Sequence, residues 1–287
     1  MKGISKLGEG IHNHQLKIAS INDISGFGRC SIAAALPLIS KLGVQCCPLP
    51  TAVFSNHTGF DSFYFYDFTD HMRSYMAQWK KLDLHFEGIM SGFLGSARQI
   101  DIVRDFLEMF NDDKAIVIID PVMGDYGRLY STYNDDMCRQ MKRLVGYADI
   151  LTPNTTEACM LTDTEYKDDF SERELLCMAR RLSEQGPGKV VITGIDRGKW
   201  VENYCYESDG HEHVQRTLKV ATQRSGTGDV FSAIVAAGAV KNVPFVDSVE
   251  TAAEFIRICL LRSEELGIPV TDGVCFEEVI DKLRFDI

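Results

Sequence analysis

No stretch of this 287-residue chain approaches the roughly 18 consecutive apolar residues of a membrane-spanning helix, so no membrane association is expected. The opening segment from Met1 to His14 is polar and lacks the apolar centre of a signal peptide. Residues 1–14 are therefore expected to form a flexible N-terminal tail and residues 15–287 one domain, in the cytoplasm. Positive charge is scarce: 30 Lys and Arg stand against 41 Asp and Glu, a formal net charge of −11. Nucleic acid and anionic membranes are poor partners for such a surface, because phosphate backbones need clustered cations. An anionic substrate would have to be met locally.

Cys-x-x-Cys spacing is also absent. The nine cysteines are odd in number and scattered through apolar or helical contexts, as expected of reduced core residues. Cys46 and Cys47 fall in a strand-like run, where neighbouring side chains point to opposite faces and cannot share one metal. His12 with His14 and His211 with His213 have no partner ligand at helical spacing, so no zinc site is expected. Two nucleotide-binding signatures are missing. Gly26-Phe27-Gly28-Arg29-Cys30-Ser31 opens like a dinucleotide fingerprint but lacks its last glycine, and no acidic residue ends the second strand at Phe54-Ser55-Asn56. Gly198-Lys199 is followed by Trp200 rather than the Ser or Thr of a P-loop. Repeats, low-complexity tracts and Pro/Gly/Ser linkers are absent as well, which favours one continuous domain.

What is present is a regular alternation of strand-like and helical patterns. Apolar runs at 16–21, 44–54, 88–90, 115–119, 149–152 and 189–193 predict strands, and helices are expected at 31–42, 70–81, 97–110, 133–145, 155–161 and 172–185. Uninterrupted runs such as Ala115-Ile116-Val117-Ile118-Ile119 suit strands buried on both faces, as in a parallel sheet covered by helices. Residues 199–207 and 211–220 alternate around Ser208-Asp209-Gly210 and predict a hairpin. Helices are expected again at 229–241, 248–266 and 276–284. The aromatic stretch 60–68 reads most simply as a core strand, with a dimer seam or flap as the alternative. Together these patterns predict an α/β fold with a doubly wound, mostly parallel central sheet flanked by helices on both faces.

Ligands of such sheets gather beyond the carboxyl ends of the strands. Here six consecutive strand ends carry polar or glycine-rich tips: 22–28, 54–60, 91–96, 120–125, 152–157 and 193–196. A seventh segment, Gly226-Thr227-Gly228-Asp229, precedes a small, apolar helical run. Its glycines would expose backbone N–H groups at a helix N-terminus, where the dipole favours a phosphate. Asp229 would then lie beside the bound anion, able to take a proton from an attacking hydroxyl. Read by itself, the segment is equally a turn with an acidic helix start. Asp120, Asn154 and Glu157 supply oxygens suited to Mg2+, which takes one or two carboxylates, phosphate oxygens and several waters. Asn154, Thr155 and Glu157 also read as a helix cap, and the two roles are compatible.

These motifs together resemble the ribokinase-like superfamily, and within it the pyridoxal kinases, from Ile18 to about Leu283. Gly226-Thr227-Gly228-Asp229 resembles the superfamily signature. Phe54-Ser55-Asn56-His57-Thr58-Gly59, Ser91-Gly92-Phe93-Leu94-Gly95, Asp120-Pro121-Val122-Met123-Gly124 and Thr152-Pro153-Asn154 resemble the pyridoxal kinase branch, in the expected order. The resemblance implies a ribokinase-like fold and ATP-dependent phosphorylation of the hydroxymethyl group of pyridoxal, pyridoxamine or pyridoxine. It makes Asp229 the base and Gly226, Thr227 and Gly228 the anion hole. It places Thr51, His57, Phe93 and Tyr130 at the substrate, Asn154, Thr193, Gly226 and Gly228 at ATP, and Asp120 and Glu157 at magnesium. It further implies a homodimer and leaves room for a monovalent cation such as K+. The sequence departs from the branch at two substrate positions. Asp23 stands where a serine is usual, and Phe93 replaces an aromatic hydroxyl. Asp23 could bind the ring of a pyridine, yet it also resembles the aspartate of sugar and pyrimidine kinases. The rival readings are thus a hydroxymethylpyrimidine kinase of thiamine synthesis and a non-catalytic pyridoxal phosphate binding protein.

Overall fold

The computed structural model describes residue 12 and residues 14–111, 115–130, 132–221 and 224–285. Almost all of the expected N-terminal tail, residues 1–14, lies outside the described residues. In chain order the elements are β1 (Lys17–Ser25), α1 (Ser31–Lys41), β2 (Gln45–Phe54), β3 (Phe65–Asp67), α2 (Thr69–Lys81), β4 (Gly88–Ser91) and α3 (Ala97–Phe110). Next come β5 (Ile116–Ile119), the two-residue strands β6 (Gly124–Asp125) and β7 (Arg128–Leu129), α4 (Asp135–Val145), β8 (Ile150–Leu151), α5 (Thr155–Thr162) and α6 (Glu172–Ser183). The chain ends with β9 (Lys189–Arg197), β10 (Trp200–Glu207), β11 (Glu212–Leu218), α7 (Thr227–Val240) and α8 (Phe245–Glu265), followed by 3-10 turns at Val270–Asp272 and Ile280–Lys282.

Nine strands form one sheet in the order β11-β10-β9-β8-β5-β4-β1-β2-β3. Pairings from β2 through β1, β4, β5 and β8 to β9 are all parallel, and antiparallel strands close both edges. The fold is therefore the expected doubly wound, mostly parallel α/β sheet flanked by helices on both faces. Its strand residues alternate between two cores. Ala19, Ile21, Ile89, Val117, Ile119, Leu151, Val190 and Ile192 face a core completed by α2 to α6. Ile18, Met90, Ile118, Ile150 and Val191 face a second core completed by α1, α7 and α8. Burial on both faces is what makes these strands read as continuous apolar runs. All nine cysteines are free, but only five are core residues: Cys46, Cys47 and Cys138 are half-buried and Cys177 is exposed. No helix among the described residues is long and apolar enough to cross a membrane.

Two further expectations are corrected. The helix expected at 276–284 is only the 3-10 turn Ile280–Lys282. Phe276, Val279 and Leu283 have helix-like spacing but are separate apolar pegs set into the second core. The aromatic stretch 60–68 is not a core strand. It ends in the short edge strand β3, which pairs antiparallel with β2, and Phe63, Tyr64, Phe65 and Tyr66 are exposed.

Candidate active site

Because β1, β2, β4, β5, β8 and β9 run parallel, their carboxyl ends open on one end of the sheet. The N-terminus of α7 contributes to the same end. Gly226 is the N-cap of α7 in a left-handed conformation, φ 84°. A β-carbon there would lie inside the van der Waals envelope of the Arg29 carbonyl oxygen, so the anion-loop backbone passes against the first loop with no room for a side chain. Thr227 donates its hydroxyl to the Arg224 carbonyl, 3.2 Å, which fixes the turn from behind. The Arg224 guanidinium is itself buried and donates to the carbonyls of Ile268 and Pro269 and to Glu264.

Asp229 follows in the first turn of α7, and Asn22 in the carboxyl-terminal half of β1 donates its Nδ2 to Asp229 Oδ1 across 3.1 Å. Burial pushes the Asp229 carboxyl up to about 6. The Ser31 backbone N–H and the Asn22 amide oppose that rise, and the charge of Asp23 adds to it. Asp120, just beyond β5, lies beside Gly228, 3.9 Å from the position a β-carbon would take. Its Oδ2 accepts from Ser232, 2.8 Å, whose oxygen lies 3.0 Å from Thr152 Oγ1. Ser232 spends its proton on Asp120, so the Thr152 hydroxyl is the donor of the second bond. Burial and the Asp229 charge push Asp120 up to about 7, against the Ser232 hydroxyl. Glu157, one turn into α5, forms a capping box with Asn154: Glu157 Oε2 accepts from Asn154 N, 2.8 Å, and Asn154 Oδ1 accepts from Glu157 N, 2.9 Å. Met123 N donates to Glu157 Oε1, 3.1 Å. Burial and the Asp120 charge raise the Glu157 carboxyl well above its ordinary value.

Asp229, Asp120 and Glu157 thus form a chain of buried acids in which Asp229 raises Asp120 and Asp120 raises Glu157, an arrangement that a cation relieves. Among the described residues no three His, Cys, Asp or Glu side chains form a ready metal cage. Magnesium does not require one, because it keeps several waters and uses phosphate oxygens. Asp120 suits that manner of binding, since its Oδ1 accepts no hydrogen bond among the described residues.

The remaining expected residues divide by position. Asn154 and Thr193 are neighbours in an isolated parallel bridge, and Asn154 Nδ2 donates to the Gly124 carbonyl, 2.9 Å. Tyr130 reaches the acid chain: burial raises its hydroxyl, and the charges of Glu157, Asp125, Asp120 and Asp229 add to the rise. Phe93 stands 6.1 Å from Phe54, ring to ring, and Phe54 also packs on Phe63 and Phe65. Thr51 is fully buried behind this wall and donates to the Phe93 carbonyl, 3.1 Å. His57 is engaged on both ring nitrogens. Gly59 N donates to Nδ1, 3.0 Å, which leaves Nε2 as the donor to the Thr271 carbonyl, 2.7 Å away. Asp23 is buried, with Ser25 and Ser31 hydroxyls donating to its two oxygens at 2.9 and 2.6 Å. In this arrangement its carboxylate braces the first loop.

Sequence reasoning assigns Asn22, Thr152 and Ser232 no individual role, and Asn22 and Thr152 enter it only as members of strand-end segments. Ser232 was accessible to such reasoning, since it lies three residues beyond Asp229 and therefore near it on one helix face. Asn22 had only its place at a strand end.

A family model described as phosphomethylpyrimidine kinase matches residues 28–271. A hydroxymethylpyrimidine/phosphomethylpyrimidine kinase of Haemophilus influenzae is 29% identical over 194 residues, 65% of this chain and 70% of that protein. A pyridoxal kinase of Leifsonia xyli is 28% identical over 233 residues, 77% of this chain and 80% of its own length. Among solved structures, a candidate phosphomethylpyrimidine kinase from Bacteroides thetaiotaomicron superposes with a TM-score of 0.93 at 36% identity, covering 96% of each chain. The same protein in an orthorhombic form with pyridoxal gives a TM-score of 0.90, covering 94% of this chain and 96% of that one.

Proposed function

The chain belongs to the phosphomethylpyrimidine kinase family, and from that premise we propose that it transfers the γ-phosphate of ATP to the hydroxymethyl group of pyridoxal, pyridoxamine or pyridoxine. The observation that carries the reaction class is the placement of Asp229 in the first turn of α7, three residues after the left-handed Gly226 and next to the Asp120 carboxyl, which in turn neighbours Glu157. In the reaction the substrate hydroxyl oxygen bonds to the γ-phosphorus while the bond from that phosphorus to the β,γ-bridging oxygen breaks. Asp229 takes the hydroxyl proton, and ADP leaves with the bridging oxygen.

The N–H groups from Gly226 to Gly228 and the α7 dipole hold the charge of the transferring group, in keeping with phosphoryl transfer being mainly positioning and electrostatics. Asp120 and Glu157 would hold magnesium, in part through water, and the bound ion would neutralise phosphate charge. Asn154 and Thr193 lie together on the side assigned to ATP. Phe54, Phe93 and Tyr130 give the vitamer ring an aromatic wall and an edge. His57 acts in this reading by fastening the loop that covers the ring, because both its nitrogens are engaged. A homodimer is part of the proposal, with the exposed aromatic edge at β3 available for it.

The substrate class is supported by the pyridoxal in the orthorhombic form of the Bacteroides relative. A second reading, phosphorylation of hydroxymethylpyrimidine, is favoured by the family match and the Haemophilus relative. Asp23 does little to favour it, since both carboxylate oxygens serve Ser25 and Ser31. Parallel kinetics with pyridoxal, pyridoxamine, pyridoxine and hydroxymethylpyrimidine separate the two. The proposal expects a pyridine alcohol to have the highest kcat/KM. A higher value for hydroxymethylpyrimidine would assign the chain to the second reading.

A further inference from the structure

We propose that Asn22 is a positioning residue that holds the Asp229 carboxylate in register with the substrate wall. The proposal rests on the reading of Asp229 as base and adds a component to it. Asn22 is buried within β1, at the irregularity in its pairing with β2, where three separate parts of the chain meet on its amide group. Its Oδ1 accepts from the backbone N–H of Asp23, 2.9 Å, and from that of Phe93, 2.8 Å. Its Nδ2 donates to Asp229 Oδ1, 3.1 Å, across 207 residues of sequence.

The two backbone donors settle which way the amide points. Turned over, Nδ2 would face two N–H groups and Oδ1 would face a carboxylate. Gly92 leaves the space this requires, since a β-carbon there would stand 2.7 Å from Asn22 Cγ. Through the Phe93 backbone the same amide reaches the aromatic wall, whose Phe93 carbonyl is held by Thr51. One side chain therefore fixes both the rotamer of the base and its offset from the loop on which the alcohol would lie. The Asn22 donor also favours the ionised, proton-accepting form of Asp229.

Asn22→Asp keeps an acceptor for both backbone N–H groups but sets a carboxylate oxygen in place of the donor to Asp229, whereas Asn22→Ala removes the donor without adding charge; the pair separates this role from a structural one. With pyridoxal, ATP and magnesium, Asn22→Asp is expected to lower kcat by at least about 10- to 100-fold, from loss of one hydrogen bond to a charged group together with repulsion between the two carboxylates. KM for ATP should stay within about twofold, and the acid limb of kcat/KM should move to higher pH. Asn22→Ala should lower kcat by about 10- to 100-fold with ATP affinity retained, as fits loss of that hydrogen bond alone, and it replaces Asn22→Asp should the latter not fold. A kcat for Asn22→Asp within about threefold of the parent would overturn the proposal. So would a loss in both variants with an unmoved acid limb and a parallel rise in KM for alcohol and ATP, the pattern of general distortion. Asp229→Asn in the same assays tests the underlying reading separately: near-parent activity there removes the base itself, whatever Asn22 does.

Discussion

Asp229→Asn is expected to lower kcat by about 10²- to 10⁴-fold, the usual cost of removing a general base, while ADP binding measured by calorimetry stays within a few-fold of the parent. The amide replaces the carboxylate with nearly the same shape and leaves the Gly226 turn and the Asp120 and Glu157 carboxyls in place. What it removes is the proton acceptor. The same carboxyl also gives the parent protein a defined acid limb. With its folded value raised to about 6, kcat/KM should fall about tenfold for each pH unit below that point, as the base becomes protonated.

The variant carries a second signature. A buried acid raised from 3.8 to about 6 binds its proton more tightly in the folded state than in the unfolded one. Its ionisation therefore weakens the fold as pH rises through about 6, and the penalty disappears below about 3.8. Asp229→Asn should then melt higher than the parent at pH 8, by up to about 3 kcal/mol, with the difference vanishing in acid. Loss of activity joined to gain of stability is the behaviour of a residue kept for chemistry. A variant both inactive and less stable at pH 8 would point instead to a structural carboxylate.

Gly226→Ala is the second large effect. The left-handed φ of 84° at this position costs a non-glycine residue roughly 1–2 kcal/mol. The new methyl group would also meet the Arg29 carbonyl oxygen and lie 3.3 Å from the Cys30 Cα. These are backbone atoms, which cannot rotate away as a side-chain tip could. Either the first loop or the anion loop must shift, and a displacement of about 1 Å at a reacting centre can cost on the order of 10²-fold. The expected result is a melting temperature several degrees lower together with at least that loss in kcat. Gly198→Ala provides the comparison, since Gly198 also has a positive φ, 69°, but nothing within 4 Å of its β-position. It should show only the local conformational cost and near-parent turnover. Equal effects on turnover from the two substitutions would contradict the view that Gly226 is required by close approach.

Much of the architecture could be read from the chain because the parallel strands are buried on both faces. Ala115-Ile116-Val117-Ile118-Ile119 can hardly be anything but a strand between two helical layers, and β5 runs Ile116–Ile119 as expected. The helix beginning at Thr155 announced itself through its Asn154 and Glu157 capping box. Sequence reasoning failed where local pattern and tertiary role diverge. Phe276, Val279 and Leu283 share a helical spacing because each fills a separate gap under the second core. The aromatic run 60–68 has strand propensity, yet its strand lies at the sheet edge with its rings exposed.

At the site, the strand-end loops were apparent because polar and glycine-rich tips interrupt apolar runs. The internal wiring was not. Asn22 and Asp23 are adjacent acceptor-bearing side chains on a strand whose pairing with β2 is irregular between Asn22 and Ile24. Only the fold shows that Asn22 turns to Asp229 while Asp23 turns to Ser25 and Ser31. Likewise, His57 could be placed near a ring by resemblance, but its two hydrogen bonds with Gly59 and Thr271 depend on how distant loops close.

The central claim is transfer of phosphate to a vitamer alcohol with Asp229 as base. Its most direct measurement follows ADP and phosphorylated vitamer together, with pyridoxal, ATP and magnesium all present, in the parent protein and in Asp229→Asn. The account predicts one phosphorylated vitamer for each ADP formed by the parent, and a loss of both in the variant. Pyridoxal binding by the parent without formation of ADP or phosphorylated vitamer would contradict it and identify a binding protein on a kinase scaffold.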